Sequence, residues 1–141
     1  MLPYKMFDHT ADIGVEILGR TKKELFANAA GAIFDILIER HEDAVVSAKQ
    51  SRKLIAGGTD VEDLLINFLR ELLYLFNGAG WVVEQCKIME CSHTRLTAEV
   101  TGEPYHPKKH SIKNEIKAVT YSGLSVTKQK AGWKARVIFD V

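Results

Sequence analysis

The chain has 141 residues, of which 46% are hydrophobic, and it carries a formal net charge of +1. This length predicts a single domain, residues 1–141, with enough apolar residues to fill a core without disulfide bonds. Because the net charge is near zero, the protein has no overall electrostatic field that attracts it to nucleic acid or to an anionic membrane.

Seven segments of the chain have the apolar patterning of strands. They are residues 4–7, 12–18, 44–56, 81–89, 94–102, 115–126 and 133–140. The pattern is weakest in the polar middle of the third segment. The sixth segment holds one or two strands, and its first part also suits a short helical turn.

Two amphipathic segments predict helices that end near residues 38 and 76. Each begins at a capping box, in which the first side chain accepts from an early amide and the last reaches back to the cap. The two boxes are Thr21 to Glu24 and Thr59 to Glu62. This order of elements predicts an α+β fold, with two helices packed on one face of a mostly antiparallel β-sheet.

Cys86 and Cys91 lie five residues apart on one predicted strand. This odd spacing predicts opposite faces, which argues against a bond between them, and the pair lacks the spacing of a zinc site. We expect two small buried thiols in a reducing compartment. No signal-peptide pattern or bilayer-spanning apolar run is found in the sequence, which predicts a cytoplasmic protein.

Polar residues interrupt the first strand pattern at residues 9–12, where burial is unfavourable unless each finds a partner. A second acid, Asp140, precedes Val141. If these two regions meet, the carboxylates of Asp12, Asp140 and Val141 form a hard-oxygen site for Ca²⁺, Mg²⁺ or Mn²⁺, with His9 or Thr10 orienting a ligand. Spacing alone favours the simpler alternative of a turn-capping Asp12 and a solvated Asp140.

Two further clusters contain residues that carry chemistry. Residues 102–110, with two prolines, two histidines and two lysines, predict a rigid exposed loop that binds phosphate or a partner, or is only solvated. If residues 115–121 form a strand, Glu115, Lys117 and Tyr121 share a face. There Lys117 binds an anion or forms a surface ion pair, and pattern alone favours the ion pair. The sequence has no phosphate-binding loop, dinucleotide-binding loop or nucleophile elbow.

Taken in order, five motifs resemble the archease family and cover residues 4–141. They are His9-Thr10-Ala11-Asp12-Ile13-Gly14, the helix of residues 61–76, Gly102-Glu103 with His106-Pro107-Lys108-Lys109-His110, Glu115-Ile116-Lys117-Ala118-Val119-Thr120-Tyr121, and the Asp140 ending. The resemblance implies a small α+β protein that activates an RtcB-type RNA ligase. The activator promotes GTP-dependent guanylylation and multiple turnover of the ligase in tRNA splicing and RNA repair. It is not itself an enzyme, and it meets tRNA only through the ligase.

The resemblance also implies a set of site residues. It assigns a divalent cation to three ligands, Asp12, Asp140 and Val141. It implies a functional surface of three residues, His9, Glu103 and Lys117. Ca²⁺ is the first expectation for the metal, with Mg²⁺ and Mn²⁺ as alternatives. One departure from the family pattern is Ser122, where the resemblance implies His in many archaeal-type members.

Two other functions remain open from the residues. One is a small metal-dependent phosphoester hydrolase that uses Asp12, Asp140 and Lys117 as metal ligands and electrophile. The other is a chaperone-like module that binds RNA or protein directly, although the near-zero net charge weakens the RNA version.

Overall fold

The structure is a computed structural model that describes residues 3–9, 12–41 and 49–141, with residues 7–9 described by their backbone only. Within these ranges the elements follow one another in the order β1 Tyr4–His9, β2 Asp12–Gly19, α1 Lys22–Leu37, β3 Ile38–Arg40, β4 Gln50–Gly57, α2 Val61–Asn77, β5 Trp81–Cys91, β6 Arg95–Pro104, β7 His110–Ile112, β8 Ala118–Gln129 and β9 Gly132–Asp140. The predicted α+β class is confirmed. Part of the weak strand predicted at residues 44–56 lies outside the described residues, and β4 accounts for the rest.

The described strands form three antiparallel sheets. The four-stranded sheet has the order β1-β2-β9-β8, the three-stranded sheet the order β4-β6-β5, and β3 pairs with β7 alone. The sequence pattern does not reveal β3 and β7, because three residues are too few to show alternation. In the four-stranded sheet β9 lies between β2 and β8, so the first and last parts of the chain occupy neighbouring strands.

The core lies between the sheets and the two helices. α1 packs mainly on β2 and β5, and α2 packs mainly on β4 and β8. The helices meet where the rings of Phe26 and Phe68 lie 5.7 Å apart. Burying a large apolar side chain stabilises the fold by about 1.5–3 kcal/mol, so the core decides which face of each strand turns inward. Because Phe139 is fully buried, its neighbour Asp140 lies on the opposite face of β9.

The two helix starts differ in their caps. The Thr21 hydroxyl accepts the Glu24 N–H at 3.1 Å, as predicted. The second cap lies one residue later than predicted, because Asp60 accepts the Asp63 N–H at 2.8 Å and Asp63 accepts the Thr59 N–H at 2.9 Å. Asp caps a helix at least as well as Thr does. Neither helix in the described part of the chain is long and apolar enough to cross a membrane.

The prediction that Cys86 and Cys91 lie on opposite faces is wrong. The register of β5 shifts between Ile88 and Glu90, so this β-bulge adds one residue to the strand. The partners of the two cysteines on β6 are four residues apart, and both cysteines therefore point to the same face. Both thiols are free, as predicted, and partly buried.

The predicted strand at residues 115–126 begins later, at Ala118. Glu115 and Lys117 therefore precede the strand, and the strand face predicted for them and Tyr121 does not form. The reason is the burial of Ile116, which is 2% exposed and whose carbonyl accepts the side-chain amide of Asn77 at 3.0 Å. The chain takes an irregular path here to place this one side chain under α2.

Candidate functional site

The four strands of the larger sheet end side by side in one row of residues, which we call the end row. β1 ends at His9, β2 begins at Asp12, β9 ends at Asp140 and β8 begins at Ala118. In the register of the sheet His9 pairs with Asp12, Asp12 with Asp140, and Asp140 with Ala118. The two acidic regions that are far apart in the sequence therefore meet in the fold.

Asp12 and Asp140 are direct cross-strand partners, and both are half-buried. The side chains of such partners leave the sheet on the same face, with Cβ atoms about 4.5–5.5 Å apart. Two carboxylates at this spacing repel each other, and a divalent cation between them removes the repulsion. Carboxylates on paired residues of adjacent strands can supply two of the oxygen ligands that a hard cation takes.

Val141 and Lys117 lie beside this pair. Val141 follows Asp140 directly and is half-buried. The backbone N–H of Lys117 donates to the carbonyl of Asp140 at 2.7 Å, which holds the segment before β8 against the end row. The side chain of Lys117 lines a groove of about 270 Å³ between α2 and the start of β8. Four of the predicted site residues are thus gathered at one edge: Asp12, Lys117, Asp140 and Val141.

His9 belongs to the end row by its backbone, but its side chain lies outside the described part of the chain. Thr10 and Ala11, the middle of the same motif, lie outside the described residues altogether. The role expected for the His9 side chain stays a prediction.

Glu103 lies elsewhere, in a buried polar cluster at the end of β6. The loop predicted at residues 102–110 is not exposed at its ends, because Glu103 and His110 are 0% and 1% exposed. The oxygens of Glu103 lie 2.5 and 2.7 Å from Lys109 Nζ, and Oε1 lies 3.1 Å from His110 Nε2. A buried carboxylate requires such partners, and the short strand β7 supplies one of them. Glu103 therefore does not itself present a surface to a partner.

His110 acts in this cluster as a neutral hydrogen-bond donor. Its Nδ1 accepts the backbone N–H of His106 at 3.0 Å, so Nδ1 carries no proton. By this hydrogen-bond network the proton is assigned to Nε2, which donates to Glu103. Burial lowers the pKa of His110 below its ordinary value of 6.5, although the negative charge of Glu103 opposes the shift. The ring of Tyr105 stacks on the imidazole, with centroids 5.7 Å apart.

Glu84 brings a third metal-binding group to the cluster. Ligand atoms of Glu84, Glu103 and His110 lie within 4.8 Å of one another. A metal on Nε2 requires the imidazole proton to move to Nδ1, which already faces a backbone N–H, whereas metal-bound imidazoles normally donate from their other nitrogen. Lys49 contacts Glu84, and Lys109 contacts Glu103, so cations already neutralise both carboxylates. This geometry suits an internal ion-pair network better than a metal ion.

Glu84 was not predicted as a site residue, because its position depends on a second β-bulge. The register of β5 shifts between Val83 and Gln85, and Glu84 is the extra residue. A bulge re-aims one side chain without changing the composition around it. The alternating pattern of β5 therefore contains no signal that Glu84 joins a buried cluster.

Three comparisons relate this chain to known proteins. The family model described as "Archease protein family (MTH1598/TM1083)" matches residues 4–141. The protein archease of Methanosarcina barkeri is 38% identical over 142 residues, which cover 98% of this chain and 95% of that protein. The protein archease of Pyrococcus abyssi is 34% identical over 145 residues, which cover 100% of both chains. The solution structure of Methanobacterium thermoautotrophicum protein 1598 matches with a TM-score of 0.74 and 28% identity over 100% of both chains.

Proposed function

This chain belongs to the archease family, and we propose that it activates an RtcB-type RNA ligase. In this proposal it promotes the GTP-dependent guanylylation of the ligase, so that the ligase turns over repeatedly in tRNA splicing and RNA repair. It works in the cytoplasm, is not an enzyme, and meets tRNA only through the ligase. The observation that carries the proposal is the cross-strand pairing of Asp12 with Asp140 in the end row.

The proposed metal site holds one divalent cation on Asp12, Asp140 and the carboxyl group of Val141. All of these ligands offer oxygen, which suits Ca²⁺, Mg²⁺ or Mn²⁺ better than soft metals. Ca²⁺ takes six to eight oxygens at about 2.3–2.6 Å, so water or ligase groups complete its shell. Placing the ligands at strand ends leaves the hydrogen bonds of the sheet intact.

A cation held by Asp12, Asp140 and Val141 would join the ends of β2 and β9 as one edge. An activator shifts the equilibrium of its partner only by binding one conformation more tightly than the others. We propose that the end row enters the nucleotide pocket of the ligase, where a bound cation would supply positive charge for the GTP phosphates or would hold the edge in shape. Lys117 and His9 flank the cation there, and Lys117 supplies a positive charge for an anionic group.

The variant Asp12→Ala tests the role of the metal. We expect Ca²⁺ affinity to fall by about tenfold or more, because one of few charged ligands is lost. Stimulation of ligase guanylylation should fall with it, while the circular dichroism spectrum stays native. Calorimetric Ca²⁺ titration and transfer of labelled GMP to the ligase measure the two effects.

Glu16→Ala is the matched control for this test. Glu16 is an acid on the same strand and the same face as Asp12, but it contacts Lys134 at 3.6 Å, away from the end row. It should leave both measurements unchanged. Full stimulation by a metal-free Asp12→Ala protein would rule out a role for the metal. Turnover of a phosphodiester by the purified chain alone would favour the hydrolase instead.

A further inference from the structure

The end row continues into an exposed face of α2 and the start of β8. We propose that this α2–β8 face, formed by Arg70, Tyr74 and Asn77 with Lys117 and Tyr121, is the surface on which the partner ligase docks through an acidic patch of its own. This inference rests on the proposed function, because it names the surface through which the same partner binds.

Tyr74 is the most exposed large hydrophobic side chain in the described part of the chain, at 66%. Its ring packs over Gly78, where an added Cβ would lie 2.7 Å from Tyr74 Cε2. Tyrosine buries a large area at a small cost in side-chain entropy and is enriched among the residues that dominate binding energy. An exposed tyrosine whose ring lies against a glycine is therefore suited to anchor a partner.

Tyr121 is the second exposed aromatic side chain on this face, at 52%. Its hydroxyl donates to Asp63 at 2.6 Å, and the guanidinium of Arg70 lies 5.0 Å from the centre of its ring. Arg70 also donates to the carbonyl of Val119 at 3.3 Å. These contacts hold the ring and the guanidinium in place before binding, so a partner loses less affinity to their ordering.

A groove of about 270 Å³ lies between α2 and the segment that carries Lys117, and its lining includes Arg70, Tyr74 and Asn77. The side chain of Lys117 is exposed, and it makes no hydrogen bond or ion pair within the described part of the chain. The groove therefore presents the cations Arg70 and Lys117 beside an aromatic ring, and the carboxylate of Asp63 offsets part of the charge of Arg70 but not that of Lys117. That combination fits a carboxylate side chain flanked by an apolar group.

The groove adjoins the end row. Lys117 donates its backbone N–H to Asp140, and Ala118 pairs with Asp140 in the sheet. A partner that receives the end row therefore covers the α2–β8 face at the same time. This continuity favours a protein surface as the occupant over a free nucleotide, which would fill the groove alone.

The affinity of the purified ligase for Tyr74→Ala tests this inference. We expect the Kd to rise by about tenfold or more, because truncating a central aromatic anchor is among the largest losses at an interface. Lys117→Gln should make the Kd less sensitive to salt between about 0.05 and 0.3 M, because it removes one of the two cations. Biolayer interferometry measures both, and circular dichroism confirms that each variant is folded.

Ile55→Ala is the matched control, because Ile55 is 51% exposed but lies on β4, in the three-stranded sheet. Its Kd should stay within about twofold of that of the unaltered protein. If Tyr74→Ala binds as tightly as the unaltered protein, the docking surface is overturned and the activator proposal stands. If the unaltered protein does not bind the ligase, both are overturned. If the isolated protein binds GTP and Tyr74→Ala abolishes it, the face is a nucleotide site and the inference is overturned.

Discussion

The protonation of His110 is decided by neighbours from several parts of the chain. Its burial disfavours the charged imidazolium, and the positive charges of Lys109 and Arg40 act in the same direction, whereas Glu103 opposes them. The backbone N–H of His106 occupies Nδ1, which leaves no acceptor for a second ring proton. The cluster therefore stays intact only while His110 is neutral.

We expect the free energy of unfolding to decrease as the pH falls below about 6.5, because His110 becomes protonated more readily in the unfolded chain. The pKa of His110 is lower in the folded protein than its ordinary value of 6.5, so the unfolded chain takes up the proton first. The contribution of neutral His110 to stability is complete above its pKa in the unfolded chain, and it is lost as the pH falls toward its pKa in the folded protein. Urea unfolding at about pH 8, 7, 6 and 5 measures the effect.

His110→Gln is the control, because glutamine keeps a donor and an acceptor but does not titrate in this range. The difference in the free energy of unfolding between the unaltered protein and this variant should become smaller as the pH falls. A gap that is constant across these pH values would contradict the neutral assignment.

The reactivity of the two cysteines reports on burial at single positions. Burial raises the pKa of the Cys86 thiol to about 12 and also raises the pKa of Cys91. The thiolate is the reactive form, and at about pH 8 Cys86 is thiolate to about one part in 10,000. We expect iodoacetamide to label Cys86 far more slowly in the native protein than in urea, as measured by peptide mass spectrometry. Equal rates in both states would contradict the inward orientation of Cys86 on β5.

Among the elements, the pairing of β5 with β6 depends on a close approach of their backbones. A Cβ at Gly102 would lie 2.0 Å from the carbonyl oxygen of Val82 and 3.0 Å from Val83 Cα. The same stretch holds the bulge that places Glu84, and it leads directly to Glu103. Because Gly102 has no side chain, the two strands lie close enough for the carboxylates of Glu84 and Glu103 to reach one buried cluster.

Gly102→Ala should lower the free energy of unfolding by about 2 kcal/mol or more, because a backbone carbonyl cannot move aside as a flexible side chain can. Gly31→Ala is the control in α1, where an added Cβ meets no atom within 4 Å. That change should stabilise the protein by about 0.5–1 kcal/mol, because alanine favours the helix. Urea unfolding of both variants gives the comparison, and a stable Gly102→Ala protein would mean that the strands lie further apart.

At the scale of the whole molecule, the fold unites the beginning and the end of the described chain in one sheet. β9 is inserted between β2 and β8, so the end row exists only when the long-range pairing is complete. Binding of a ligand at this edge therefore depends on the folding of the whole sheet.

We expect Ca²⁺ to raise the Tm of the protein relative to a chelator. An ion that binds only the folded chain stabilises it by about 2.7 kcal/mol at a hundredfold excess over its Kd. Asp140→Asn should lose most of this shift, because a neutral amide is a weaker ligand for a hard cation. Differential scanning calorimetry measures the shift, and an equal rise in the variant would place the ion elsewhere.

The sequence by itself determined the α+β class, the main strands and helices and the start of α1, because periodicity and capping are local properties. It also singled out the two acids, but not whether they meet. The tertiary structure alone decided that Asp12 faces Asp140 and that Glu103 is buried. It also decided the facing of the cysteines and the position of Glu84, both of which follow from bulges. Strand pairing and bulges join residues far apart in the chain, and no local pattern encodes which distant partner a strand finds.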